Sequence, residues 1–498
     1  MSPTRRTFLK TAAAAAAAAL LPLSCAEKRR PNILFAIADD WSWPHASIAG
    51  AAELHTPAFD RIAREGVLFT NCFVSAPSCT PSRGAILTGQ YHWRLAESGN
   101  LWSILPTRFQ VYPDILEANG YRVGHTGKGW GPGDLADAGR TRNPAGPEYN
   151  RLRHQPPYNM HAVDYAANFA AFLDETLADQ PFCFWYGAFE PHRPYERGMG
   201  VASGKNPATV QVPAIFPDTD EVRGDILDYY VEIEHFDRHL GAMVDLLAAR
   251  GELENTLVVV TSDNGMPFPR AKSNLYKWGT LMPLAVRWGE RIKPGRVVEA
   301  LISQTDFAPT FLEAAGIAPP AEMSGKSLLP LLVGRRTEHR SHLLIGKERH
   351  AWVRRGGLGY PCRALRTRDF LYIRNFEPDR WPAGDPTPSE DNDPPGAFGD
   401  IDDGPTKSAM MNAIDEQRQR LWDAAVGKRP AEELYDLHND PDELHNLAFD
   451  PQFAEIRRRL SEQLMRELAA TGDPRATGGD AWDRYEYYAP WKRNRRQG

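Results

Sequence analysis

Cysteine is scarce in this chain, with five among 498 residues: Cys25, Cys72, Cys79, Cys183 and Cys362. Their spacing makes neither a CxxC zinc pattern nor the disulfide framework of a small secreted domain. An excess of positive charge is also missing. Lys and Arg number 58 against 64 Asp and Glu, a formal net charge of −6, which argues against a nucleic-acid binder with its clustered basic patch. The short cationic tail Lys492, Arg493, Arg495, Arg496 reads as a solvated terminus. No apolar run reaches the ~20 residues a membrane-spanning helix needs, so no transmembrane anchor is expected. Internal repeats are lacking too. The remaining composition, 42% hydrophobic and 24% charged, is that of a globular protein and excludes a disordered, collagenous or coiled-coil chain. Its length suggests roughly two or three domains.

The N-terminus carries an address. Thr4-Arg5-Arg6-Thr7-Phe8-Leu9-Lys10, followed by an Ala/Leu stretch from Ala12 to Leu23, resembles a twin-arginine export signal. A periplasmic or secreted location is expected, with residues 1–30 as signal peptide. Leu21-Pro22-Leu23-Ser24-Cys25 loosely resembles a lipoprotein cleavage box. Pro22 and Leu23 fit that box badly, so plain cleavage is favoured over lipidation at Cys25.

From Asn32 onward, strand-like and helix-like stretches alternate. Ile33–Ala38 is a continuous apolar run, as expected for a strand buried on both faces. Tyr121–His125, Phe182–Phe189, Leu257–Thr261 and Leu284–Trp288 read as further strands. Thr56 is the expected N-cap of a helix that Pro57 opens and Glu65 closes. Further helices are expected over Tyr112–Asn119, Ala162–Leu177, Ile226–Arg250 and Phe307–Ala315. The alternation implies an α/β domain over 31–336, a mainly parallel sheet sandwiched by helices. A smaller α+β domain over 337–498 follows, with a hairpin at Cys362–Arg368 and Phe370–Phe376 and a late helix at Phe453–Ala470. Between them, Pro378–Pro405 reads as an irregular excursion whose acids (Asp391, Asp393, Asp400, Asp402, Asp403) are expected to be solvated.

Chemistry-bearing residues fall at the ends of the expected strands. Asp39-Asp40 follows the first, Gly127-Lys128 the second, Glu190-Pro191-His192 the third and Ser262-Asp263-Asn264-Gly265 the fourth. Ligands of open α/β sheets sit at the carboxyl ends of parallel strands. Asp39, Asp40, Asp263 and Asn264 are oxygen donors that suit a hard cation, Ca²⁺ or Mg²⁺, rather than zinc. A lone Asp-Asp is more often a cap or turn; two oxygen-donor pairs on one rim favour a metal.

Cys79-Thr80-Pro81-Ser82-Arg83-Gly84 is the sharpest local signal. Pro81 reads as the first turn of a helix capped by Thr80, which sets Cys79 and Arg83 at an N–H-rich helix end. With Leu87-Thr88-Gly89 and the oxygen-donor pairs, this motif resembles that of the type I, formylglycine-dependent sulfatases. The C-terminal strings Glu433-Leu434-Tyr435-Asp436-Leu437, Asp440-Pro441 and Asn446-Leu447-Ala448 are similar to that family's closing segment. Asn264-Gly265-Met266-Pro267-Phe268-Pro269, Asn274-Leu275-Tyr276 and Gly359-Tyr360-Pro361-Cys362-Arg363 look like the heparan N-sulfatase (N-sulfoglucosamine sulfohydrolase) branch.

The resemblance implies an alkaline-phosphatase-like fold and hydrolysis of N- or O-sulfate from a sulfated carbohydrate such as heparan. It implies that a maturation enzyme converts Cys79 to Cα-formylglycine, in the cytoplasm before folding. The hydrated aldehyde would attack sulfur, beside a metal held by Asp39, Asp40, Asp263, Asn264 and residue 79. Its second hydroxyl would release the sulfate. Arg83, Lys128 and Lys272 are expected to bind sulfate oxygens, and His192 to protonate the leaving group. Lys277 reads as a surface charge, and Trp130 and Trp278 as packing. The chain departs from the family where a histidine usually follows the lysine, since Gly129-Trp130-Gly131 stands there. His92 and His125 are the alternatives, each equally readable as structural. Loops 93–110, 140–160 and 195–220 are expected to wall the pocket. A phosphonate or phosphate ester hydrolase on the same fold, or a non-catalytic glycan-binding lipoprotein, are the rival readings.

Overall fold

The computed structural model describes residues 29–490. The export-signal segment to residue 28 with Cys25, and the cationic tail from 491, lie outside the described residues. The chain builds β1 (Asn32–Ala38), β2 (Val67–Phe73), β3 (Arg122–Gly127), β4 (Phe182–Gly187), β5 (Thr256–Ser262), β6 (Leu281–Arg287), β7 (Arg296–Val298) and β8 (Ile302–Ser303). These form one sheet ordered β3-β4-β1-β5-β6-β2-β7, with β8 also on β2. β3, β4, β1 and β5 run parallel. β6 is antiparallel to both its neighbours, an exception within the mainly parallel sheet. A parallel return needs a crossover to the far edge. Residues 263–280 instead stay at the strand ends with one short helix, Lys277–Thr280, and the chain turns straight back.

Every residue of β1 is buried. Leu34, Ala36 and Ala38 pack with the helices Tyr165–Asp174 and Asp220–Ala249, whereas Ile33, Phe35 and Ile37 pack with Phe307–Ala314 and Tyr112–Ala118. Alternate side chains of one strand thus feed two cores, which is why its sequence shows no polar alternation. The helix at Pro57–Arg64 is capped differently from the expectation: the Thr56 side chain caps nothing. Asp237 of the long helix accepts from the backbone N–H groups of Ala58 and Phe59 at 2.8 and 2.7 Å.

A second, antiparallel sheet is ordered β12-β11-β10-β9, from β9 (Leu343–Lys347), β10 (Cys362–Arg366), β11 (Phe370–Asn375) and β12 (Glu432–Asp436). The helix Ala454–Ala470 covers it through Leu460, Leu464 and Leu468, each four residues on. Leu464→Ala is expected to cost about 2–4 kcal/mol, because the cavity it leaves is walled by packed side chains; a denaturant titration measures it. The excursion at 378–405 is not uniformly solvated. Asp400 is buried, accepting from Arg354 Nη2 at 2.6 Å and Lys347 Nζ at 3.3 Å. Asp402 and Asp393 line a cavity, while Asp391 and Asp403 are exposed as expected.

Candidate active site

The strand ends of the first sheet stop in one row: Gly127 pairs with Gly187, Gly187 with Ile37, and Ile37 with Thr261. Lys128, His192, Asp39, Asp40, Asp263 and Asn264 therefore emerge on the same rim. Gly127 is obligatory there, because its φ is +72° and a Cβ would collide with the Gly187 carbonyl. Asp40 is also held at a positive φ, +80°, which costs a non-glycine residue about 1–3 kcal/mol. Four bonds hold it. Its N–H donates to Asp263 Oδ1 at 3.2 Å, its carbonyl accepts from Tyr229 Oη at 3.1 Å, and its carboxylate accepts from Asn264 Nδ2 at 2.6 Å and Lys272 Nζ at 2.7 Å.

The Cys79 helix (Cys79–Thr88) enters this rim from β2. It begins two residues earlier than expected, with Ser78 at the cap position and no side-chain cap. Thr80 donates instead to the Pro132 carbonyl at 2.5 Å. Cys79 Sγ lies 3.5 Å from Asp39 Oδ1, and the same Asp39 accepts from Lys128 Nζ at 2.6 Å. Asp39, Cys79 and Asp263 each offer an atom within 4.8 Å of the other two. Three buried carboxylates thus meet two buried cations, Arg83 and Lys272, and the half-buried Lys128 around the cysteine.

The electrostatics follow from that pairing. Burial raises Asp39, but Lys128, His192, Arg83 and Lys272 outweigh it and hold the carboxyl well below the usual range. Burial pushes Asp263 up to about 6 against the pull of Arg83, and Asp40 is raised for the same reason despite Lys272. Burial also lifts the Cys79 thiol well above its ordinary value, so the unmodified side chain stays protonated and a poor nucleophile at neutral pH.

A cation fits here. Asn264 Oδ1 is buried with no hydrogen-bond partner among the described residues, an uncommon and costly state for a polar atom. An oxygen-donor set completed by Asp39, Asp40 and Asp263 suits a hard divalent ion.

A cavity of about 900 Å³ opens above Cys79, with Asp39, Lys128, His192, Lys272 and Asp402 on its surface. Arg83 does not reach it. Its Nε bonds Asp263 at 2.6 Å and its Nη1 the carbonyls of Lys128 and Gly129 at 2.6 and 2.9 Å. In these contacts it braces Asp263 and the Lys128 loop from behind the cavity surface. Trp130 belongs to the cavity wall, whereas Trp278 packs away from it with Nε1 on Asp442. Lys277 is not a free surface charge either; it pairs with Asp442 at 3.3 Å.

The histidines take distinct places. His92 bonds Ser75 outside the cavity, and His125, in the wall, bonds the Gly146 carbonyl through Nδ1 at 2.9 Å. His350, which sequence reasoning missed, also lines the cavity, with Nδ1 2.8 Å from Ser78 Oγ beside Cys79. It follows β9 with no motif around it, so only the docking of the second sheet reveals it. Loops 93–110 and 140–160 contribute walls as expected. The expected 195–220 loop does not; residues 350–351, 393–402 and Tyr487 take that place.

This fold, with a cysteine beside buried carboxylates and lysines at the carboxyl rim of its sheet, suits a hydrolase of anionic esters. Comparison makes it specific: residues 31–317 match the Sulfatase family model, and 271–381 that of the N-sulphoglucosamine sulphohydrolase C-terminal region. The chain belongs to the sulfatase family, hydrolases of sulfuric esters and sulfamates. It is 30% identical to the human (Homo sapiens) N-sulphoglucosamine sulphohydrolase, across 92% of this chain and 94% of that protein. It is 28% identical to an ulvan-active sulfatase of Formosa agariphila, across 93% and 85%. The solved structure of a protein in complex with its substrate D-glucosamine-2-N,6-O-disulfate shares the fold, with a TM-score of 0.63, 20% identity and coverage of 91% and 99%. Residues 2–22 match a twin-arginine translocation signal, which directs export across the membrane. Among the described residues, no helix is long and apolar enough to cross one.

Proposed function

We propose that this enzyme removes sulfate, N-linked or O-linked, from sulfated glucosamine-type saccharides such as those of heparan. The observation that carries this reading is Cys79 at the floor of a saccharide-sized cavity, flanked by three carboxylates and by Lys128 and Lys272 on the cavity surface. The likeness to the N-sulphoglucosamine sulphohydrolase over nearly its whole length supports the substrate class.

Cys79 is read as the site of conversion to formylglycine, and Asp39, Asp40, Asp263 and Asn264 as the holders of a Ca²⁺ or Mg²⁺ ion. The hydrated aldehyde would supply a nucleophilic oxygen and the cation would lower its pKa and offset sulfate charge. The chain's own residues do the rest. Lys128 and Lys272 present ammonium groups to the sulfate oxygens while Asp39 and Asp40 hold them in place. Arg83 keeps Asp263 and the Lys128 loop in register. His192 donates from Nδ1 to the Arg193 carbonyl at 2.6 Å, which leaves Nε2, 3.9 Å from Asp40, to carry the proton given to the departing oxygen or nitrogen. His350 stands ready to accept a proton beside residue 79.

Sulfate release from N-sulfated and O-sulfated glucosamine saccharides, measured by ion chromatography, tests the reading. No release from any saccharide, with aryl phosphate turned over faster than aryl sulfate, would replace it by the phosphate-ester alternative. A peptide mass showing Cys79 as an unmodified thiol, in protein made alongside a maturation enzyme, would favour the glycan-binding lipoprotein, with Cys25 as its anchor. His192→Gln gives a sharper signature. A saccharide amine or alcohol needs a proton to depart, so kcat falls about 10²–10⁴-fold; an activated aryl sulfate needs none and is expected to keep most of its rate.

A further inference from the structure

A second set of metal-ligating side chains meets behind the cavity. His154, His235 and His239 each present one ring nitrogen, and the three nitrogens lie within 4.8 Å of one another. His235 and His239 are four residues apart on the helix Asp220–Ala249 and so share a face. His154 comes from a separate segment. Its N–H donates to the Ala162 carbonyl at 3.0 Å beside the antiparallel bridge of Arg153 with Val163, which sets the ring on a narrow, hydrogen-bonded hairpin. The ring centroids are 4.8 Å apart for His235 and His239, 5.3 Å for His154 and His239, and 5.7 Å for His154 and His235.

Among the described residues, nothing answers two of these nitrogens. Nε2 of His154 and Nε2 of His235 are both buried without a hydrogen-bond partner, and His235 is only 1% exposed. Burial, reinforced by the neighbouring rings and Arg238, pushes His235 down to about 2 and His239 down to about 4. His235 and His239 are therefore neutral at physiological pH, the form that coordinates a metal. Two charged groups face the cluster. Asp164 Oδ1 lies 3.9 Å from His239 Nδ1, beyond hydrogen-bond distance but on the side of the ring from which a carboxylate orients a ligating imidazole. Arg238 Nη2 lies 3.1 Å from His235 Nδ1; it sits at the solvent face and is free to swing away when that nitrogen takes the proton.

We propose that His154, His235 and His239 bind one divalent transition-metal ion of the Zn²⁺ class, which ties the 150–163 segment to the long helix. Three imidazoles are borderline donors and favour Zn²⁺, Co²⁺ or Cu²⁺ over the hard ions suited to the carboxylates at Cys79. The tie matters to the enzyme, because Asn159, Met160, His161 and Ala162 form part of the cavity wall. The ion would hold that wall in place.

The mature chain, kept in excess Ca²⁺ to fill the carboxylate site, is titrated with Co²⁺ followed by absorbance and then with competing Zn²⁺. One equivalent is expected. His154→Gln, on a surface hairpin, and His239→Gln each weaken binding by at least ~100-fold, whereas Cys79→Ala binds as the parent does. Zn²⁺ is also expected to slow tryptic cleavage after the exposed Arg151 and Arg153 in the parent but not in His154→Gln. The proposal falls if His154→Gln binds Co²⁺ as tightly as the parent, if Cys79→Ala or Asp263→Asn abolishes the signal, or if no Co²⁺ is bound.

Discussion

Cys79→Ala is expected to eliminate sulfate release, lowering kcat by at least ~10³-fold, the usual scale for losing a catalytic nucleophile. Cys79→Ser should be nearly as inactive. A lone hydroxyl can attack, but it has no second hydroxyl on the same carbon with which to expel the sulfate it acquires. The protein should otherwise stand. The side chain is small, and the contacts it loses are few beside those that keep Asp39, Asp263 and Arg83 together. A thermal melt within a few degrees of the parent, with turnover gone on both saccharide and aryl sulfates, is the expected pair of results. Retained turnover in Cys79→Ala would remove Cys79 from the chemistry altogether.

The second large effect is that of metal removal, and its pH dependence has a definite sign. Without a cation, burial holds Asp263 at about 6, above its ordinary 3.8. A carboxyl raised in this way takes up a proton on folding. Its contribution to stability is complete below its unfolded value and fades as pH climbs through about 6. Asp40, also raised, acts in the same direction. Asp39, held low, acts oppositely, but only in the acid range below its ordinary value. The divalent ion proposed for this site would replace the missing proton. Chelation is therefore expected to cost at least ~10²-fold in activity at pH 7.5 and to lower the melting temperature by several degrees there. At pH 5 the melting temperature should drop much less, since Asp263 is then protonated. Differential scanning calorimetry with and without Ca²⁺ at both pH values decides the matter; equal shifts at pH 5 and 7.5 would contradict the role of Asp263.

Much of this site is legible in the one-dimensional chain because its parts are local. An apolar strand followed at once by Asp39-Asp40, another followed by Asp263-Asn264, and a Cys-x-Pro-Ser-Arg helix start each announce themselves within a few residues. The sheet supplies the remaining link: its parallel strands end in register, so residues just past those ends must be neighbours. Lys128 and His192 come within reach of the sequence by the same rule, and the helix at 454–470 by its four-residue leucine spacing.

What the linear order conceals is everything that depends on one segment folding over another. β6 reverses direction because the chain after β5 remains at the rim and never crosses the sheet. That same detour brings Lys272 onto Asp40. Asp237 caps a helix some 180 residues away, and His350 and Asp402 enter the cavity only because the antiparallel sheet docks beside the first. Arg83 looks like an anion ligand in its motif; in the fold it is buried against Asp263 and braces it. The sequence by itself determined the strands, the oxygen-donor pairs, the cysteine motif and the family they belong to, since backbone pattern and local chemistry are written in adjacent residues. Tertiary structure alone decided which cations stay open to a ligand, which histidines meet, and what walls the cavity. Those outcomes depend on burial and on approach between distant segments, which neighbouring residues do not encode.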